Sequence, residues 1–306
     1  MTTPRVCFCL ATVALVFAMP FRAACSTDPL PPKKLLVVSV TTGYRHASIP
    51  TAERVLSNLA ARSGRFTVDF VENPPGMPTI PPPPFPGPGP DNAAYEEARA
   101  RWLTTVPAAL TPLSPANLAR YDGVVFLSTT GDLPLPDRDG FVEWVRQGHA
   151  FIGVHAAADT FHDYPAYIAM LGAEFMHHGA QVSVDCLNQD PAHAATSGLQ
   201  ASWTVFDEIY LFKNFDEASV HMLLALDRHP NDKTPGFYPV SWCKPFGTGR
   251  VFYTSLGHRE DVWDPNFSVR RKNAPEVATA FQQHLLGGIL WALQLAPGQD
   301  YSSPSK

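Results

Sequence analysis

Three short runs, "LLVVSV" at 35–40, "GVVFLS" at 123–128 and "AFIGV" at 150–154, are almost unbroken stretches of Leu, Val, Ile and Phe. A strand with one wet face alternates apolar and polar residues, so unbroken apolarity predicts strands covered on both faces. The sequence between them supplies the covers. "SIPTAERVLSNLAAR" places apolar residues at spacings of three and four, which predicts a helix, and "RFTVDFVE" (65–72) then predicts a second strand. Strand, helix, strand is the opening of an open, mostly parallel α/β sheet with helices on both faces.

The chain has 306 residues, 45% of them hydrophobic and 17% charged, enough apolar mass for one large domain rather than two small ones. A net charge of −5 with no basic stripe excludes a nucleic-acid partner. Residues 1–25 read as a secretory signal: a basic start, "VCFCLATVALVFAM", then "PFRAACS". Export to the periplasm or beyond the cell is therefore expected. The "AAC" ending resembles a lipobox with Arg22 in place of Leu, so membrane attachment is expected only through a lipid on Cys25, and that question stays open. A linker (26–33) leads to one domain over 34–296, interrupted by "PPGMPTIPPPPFPGPGP" at 74–90, which proline bars from helix and sheet. A polar tail occupies 297–306.

Further along, "PLPDRDGFVEWVRQG" and "DYPAYIAMLGAEF" predict helices around the "AFIGV" strand. "AQVSVDCLN", "WTVFDEIYLF", "MLLALD" and "YPVSWCKPFGTGRVFYTSL" predict four or five more strands, the last two joined as a hairpin at "FGTGR". "EVATAFQQHLLGGILWALQL" predicts a closing helix packed on the sheet. Cys186 and Cys243 are the only cysteines of this body, and both free buried thiols and a bridge between them are compatible with an exported chain. Oligomeric state is not readable.

Ligands of open parallel sheets bind beyond the carboxyl ends of the strands. Four strand ends carry polar residues there: Tyr44, Arg45 and His46 after the first, Asp132 after "GVVFLS", His155 after "AFIGV" and His258 after "VFYTSL". His155 stands at a strand-to-helix corner, "GVHAA", where hydrolases of this general architecture carry a Ser or Cys nucleophile. An imidazole there excludes glutamine amidotransferase chemistry. No GxSxG serves a serine hydrolase, and "GTGR" lacks the Lys-Ser/Thr of a phosphate loop, so no nucleotide cofactor is expected. His177 and His178 in "FMHHG", and Asp207 and Glu208 in "FDEIYLF", lie near this set. Two chemistries stay open: neutral imidazoles with a carboxylate as ligands of zinc or a similar divalent ion, or metal-free histidine acid/base work.

The pieces "GYRHASI", "YDGVVFLSTTGD", "GHAFIGVHAAADT", "LGAEFMHHG", "DEIYLF", "YPVSWCKPFGTGRVFYTSLGH" and "HLLGGILWAL" occur in the order that resembles the ThuA-like (trehalose-utilisation) family. That resemblance implies a class I glutamine amidotransferase-like, flavodoxin-like fold with an added hairpin region. It carries the family's positions onto His46, His155, His178, His193, the Asp207-Glu208 pair and His258. Ala194 and Gln147 depart from the family pattern. The implied substrate is a small carbohydrate, in particular a disaccharide or its keto derivative, isomerised or cleaved in the crevice; a non-catalytic carbohydrate-binding or scaffold protein is the alternative. On the catalytic reading His155, His258, His46, Glu208 and Asp132 act on substrate, and Arg45, Tyr44 and Trp263 bind it. On the metal reading His155, His178, His193 and His258 are the ligands.

Overall fold

The computed structural model describes Met1 and residues 31–79 and 90–296. The expected leader with Cys25, most of the expected linker, residues 80–89 of the proline-rich stretch and the tail 297–306 lie outside the described residues. In chain order the strands are β1 (Lys33–Val38), β2 (Phe66–Val71), β3 (Gly123–Leu127), β4 (Ala150–Val154), β5 (Glu174–His178), β6 (Val182–Asn188), β7 (Ser202–Asp207), β8 (Tyr210–Lys213), β9 (His221–Arg228), β10 (Pro235–Phe246) and β11 (Gly249–Thr254). The helices are α1 (Ile49–Ser63), α2 (Pro90–Leu103), α3 (Val106–Ala109), α4 (Pro115–Leu118), α5 (Arg138–Arg146), α6 (Pro165–Leu171), α7 (Glu260–Trp263) and α8 (Pro275–Ala292).

Nine strands form one mixed, mostly parallel sheet in the order β2-β1-β3-β4-β11-β10-β9-β6-β7. The five from β2 to β11 run parallel, and β10, β9, β6 and β7 extend the sheet antiparallel. A separate ladder pairs β5 with β8. Alternate residues of β1 feed two cores: Leu35 and Val37 meet α1 and α8 through Leu56, Leu285 and Ile289, while Leu36 and Val38 share a core with Trp102, Phe141 and Tyr167. Burial on both faces is the physical reason for the unbroken apolar runs.

Two expected elements come out differently. The helix read over 163–175 ends at Leu171, and its last residues become β5. Gly172 takes φ 101°, a left-handed stop, and a side chain there would sit 3.0 Å from the Trp242 indole. "WTVFDEIYLF" is two strands rather than one, because the chain leaves the main sheet after Asp207 and joins β5 at Tyr210. Glu208 lies at that break. Cys186 and Cys243 are free and buried, so no bridge joins them.

Candidate functional site

Four donor side chains meet where four strands end. His46 lies in the loop from β1 to α1, His155 directly after β4, Glu208 directly after β7 and His258 in the turn beyond β11. Their ligand atoms all lie within 4.8 Å of one another. Adjacent strand order makes this possible, since β1, β3, β4 and β11 are consecutive in the sheet.

His155 adopts φ 48°, the left-handed region that side chains with a Cβ rarely occupy. Its neighbours hold it there. Tyr253 Oη donates to the His155 carbonyl at 2.8 Å. Gly153 lets the Tyr253 ring close in, as a Cβ on that glycine would be 2.9 Å from it. His155 Nδ1 lies 2.7 Å from the Ser255 carbonyl, which can only accept, so Nδ1 carries the proton and Nε2 offers a lone pair. That Nε2 is 3.2 Å from His46 Nε2 and 3.9 Å from Glu208 Oε1. His258 Nδ1 stands 3.3 Å from the same Glu208 oxygen, and His178 Nδ1 lies 3.2 Å from the other.

The turn carrying His258 is fastened from three sides. Asp207 Oδ2 accepts the Gly257 N–H at 2.7 Å, while Ser48 Oγ and Trp263 Nε1 donate to the Gly257 carbonyl at 3.0 and 2.9 Å. Gly257 itself has φ 119°, so glycine is required.

The residues fit a metal ion. Three imidazoles and one carboxylate with ligand atoms within 4.8 Å of one another form a donor set of the kind zinc takes. Two imidazole nitrogens on one tetrahedral zinc, each at about 2.0–2.1 Å, are roughly 3.3 Å apart. The 3.2 Å between His155 and His46 matches that spacing. Burial, reinforced by His258 and His178, pushes the His46 pKa down to about 3, and burial holds His155 well below the ordinary histidine value. Both therefore stay neutral, the form that ligates. Burial also opposes charge on His258, but Glu208 and then Asp207 outweigh it and raise its pKa. Asp207, fully buried, is pushed up to about 6 by desolvation, only partly offset by the Gly257 N–H and His258.

The chain just beyond His258 is locked by Asp261, whose side chain is fully buried. It accepts from Arg259 Nε at 2.9 Å, from the backbone N–H groups of Lys272 and Asn273 at 2.6 and 3.0 Å, and from Asn273 Nδ2 at 3.0 Å. Burial alone would raise its pKa, but these donors overcome it and hold it at about 2. A depressed carboxylate stabilises the fold above its unfolded value of roughly 3.9, and that contribution is lost as pH falls through about 2. The pKa difference corresponds to about 2–3 kcal/mol. Urea titrations of wild type and Asp261→Asn should therefore show a stability gap at pH 5 that shrinks steadily between pH 4 and 2; a gap unchanged by acid would refute the assignment.

Not every residue singled out by sequence joins the cluster. His178 stands half-exposed at its rim, and Tyr44, 56% exposed, sets its ring edge-on to His46 at 4.8 Å. Arg45 borders a cavity of about 540 Å³ together with His46, Asn73 and Met77, its Nη1 donating to the Ser39 carbonyl at 2.8 Å. Asp132 stays outside: after β3 the backbone bridges Thr130 to Thr41 and Gly131 to Thr160, leaving the Asp132 side chain exposed beyond them. His193 is elsewhere, buried beside Trp291, with Nδ1 accepting the Ala195 N–H at 3.1 Å and Nε2 3.6 Å from Cys243 Sγ. It is a packed core histidine rather than a ligand of this cluster. Trp263 is fully buried, edge-on to Phe281 at 4.8 Å, and cannot stack on a sugar. Sequence reading missed the Ser255 carbonyl, Tyr253 and the Tyr210 ring 4.5 Å from His155, because backbone acceptors and core aromatics carry no motif of their own.

A mixed, mostly parallel sheet with helices packed on it, bearing a histidine at the strand-end corner, defines a flavodoxin-like α/β protein. The chain belongs to the ThuA family, described as trehalose utilisation, whose family model matches residues 92–292. A ThuA-like protein from Parabacteroides merdae ATCC 43184 has a crystal structure similar to this one, with TM-score 0.61 and 20% identity over 88% of this chain and 92% of that one. Another, from Bacteroides uniformis ATCC 8492, gives TM-score 0.57 and 17% identity over 88% and 94%. These likenesses establish the fold. No curated protein matches the sequence.

Proposed function

We propose that this protein is a metal-dependent enzyme acting on a carbohydrate, with His46, His155, His258 and Glu208 holding one divalent ion of the zinc type. The observation that carries the reading is the convergence of three imidazoles and a carboxylate within 4.8 Å, with the proton of His155 turned away from them. The family's description, trehalose utilisation, supports a sugar or a keto derivative as substrate. A bound ion supplies Lewis acidity, polarising a carbonyl or acidifying a water. The chain's own groups do the rest. Glu208 spans the cluster and the rim, one oxygen on His258 and the other on His178, so His178 is the histidine placed to take or return a substrate proton. Arg45 borders the adjoining cavity and Tyr44 stands exposed and edge-on to His46, and the two orient the sugar. The leader in residues 1–25 puts this chemistry outside the cytoplasm, which fractionation of the producing cells tests directly.

The test is elemental analysis of the mature chain, residues 26–306, after equilibration with zinc, manganese, nickel or iron and desalting, followed by assay of trehalose and its keto derivatives. About one equivalent of one ion with metal-dependent turnover is expected. Retention of none of the four would refute the metal assignment. Sugar binding with no turnover of any substrate would assign the protein as a carbohydrate-binding module instead.

A further inference from the structure

A second cleft, of about 560 Å³, opens between α6 and the segment after β8, and shares no lining residue with the cavity beside His46. At its wall lies Lys244 of β10, 7% exposed. Nζ donates to the Ala169 carbonyl at 2.9 Å and to Ser219 Oγ at 3.1 Å, and both partners line the same cleft. Among the described residues no carboxylate pairs with it within ion-pair distance, although Asp163, Glu174 and Asp216 border the space. Glu174 is already engaged by His162, Lys213 and Asn214.

An ammonium has three N–H donors, a neutral amine two donors and a lone pair. Lys244 has two acceptors, one for each N–H of the neutral form, whose lone pair stays uncommitted, and they leave the charged form one donor short in a buried place. Burial lowers its pKa, against a weaker opposing pull from Asp216. Desolvation of this kind is what turns a lysine into a nucleophile. The exposed Asp163, Asn214 and Asp216 keep the cleft open to solutes.

We propose that Lys244 is a nucleophilic amine that condenses reversibly with a small aldehyde or ketone entering this cleft. The nitrogen lone pair forms a bond to the carbonyl carbon, and the carbonyl π pair moves to oxygen, which takes a proton. The carbinolamine then loses that oxygen as water, with a proton drawn from solvent in the open cleft, and nitrogen gives up its remaining protons to leave a C=N bond. One carbonyl and one amine yield one imine and one water, with no change of oxidation state.

The experiment incubates the wild-type protein with glycolaldehyde and sodium cyanoborohydride at pH 7, which converts any imine into a stable secondary amine, and follows each lysine by peptide mass mapping over time. Lys34 and Lys272, both exposed, serve as the reference amines. Lys244 should be labelled at least about tenfold faster than either. Labelling of Lys244 no faster than that of the exposed lysines would overturn the proposal and leave it a charged cap on the end of α6. Lys244→Arg should lose the fast label and keep the metal content of the histidine cluster, separating this site from that one; fast labelling that persists at another lysine in the variant would also overturn it.

Discussion

His155→Ala is expected to empty the histidine cluster while leaving the fold standing. The substitution removes the ring whose Nδ1 proton is committed to the Ser255 carbonyl, so that its Nε2 faces the other donors as a lone pair. Loss of an outer-shell partner typically costs a metal site 10- to 100-fold in affinity, so loss of a direct ligand should cost at least about 100-fold. Metal retained after desalting should fall from about one equivalent to near none. The backbone makes a second variant informative. Position 155 has φ 48°, where alanine is strained by about 1 kcal/mol and glycine is not. His155→Gly should therefore be about 1 kcal/mol more stable than His155→Ala in urea, with both lacking metal. An alanine variant that retains a full equivalent would show that the cluster is not the metal site.

Trp263→Ala should be the most destabilising single change near the site. The indole, at the end of α7, is fully buried against Phe281 of α8, and truncating such a ring costs about 3–5 kcal/mol. For a domain of this size that corresponds to a fall in Tm of roughly 10 °C. Its Nε1–H also holds the Gly257 carbonyl, so the turn bearing His258 loosens and metal affinity should fall with stability. Tyr44→Ala is the contrast: that ring is exposed, so stability should change by less than about 0.5 kcal/mol while sugar affinity drops. A Trp263→Ala variant of unchanged Tm but weakened sugar binding would restore the stacking role that its burial denies.

Much of this architecture is legible in local sequence. The unbroken apolar runs of β1, β3 and β4 announced strands covered on both faces, and each is wholly or largely buried. The corner at His155 was visible as small residues after a strand, because a tight turn against a neighbouring ring tolerates little else. The two misread elements were both decided by pairing at a distance. "GAEFMHH" has helical company on its left, but Gly172 stops α6 and β8 recruits the rest as β5. "WTVFDEIYLF" alternates like one strand, yet Asp207 is buried to hold Gly257, and the chain turns there.

By itself the sequence determined which residues stand at strand ends, since that follows from local apolar periodicity and the residues that terminate it. Strand order and loop path are non-local, and they decided which of those residues meet. His46, His155 and His258 converge because β1, β4 and β11 lie close together in the sheet, and Glu208 reaches them because β7 breaks at Asp207. His193 carries the same imidazole but sits beside Trp291 and Cys243, buried among β10 and α8 and away from the cluster. Asp132 is likewise carried past the site by the pairing of Thr130 and Gly131 with neighbouring loops. Proximity across a sheet is set by hydrogen bonds between segments a hundred residues apart, and no local pattern encodes it.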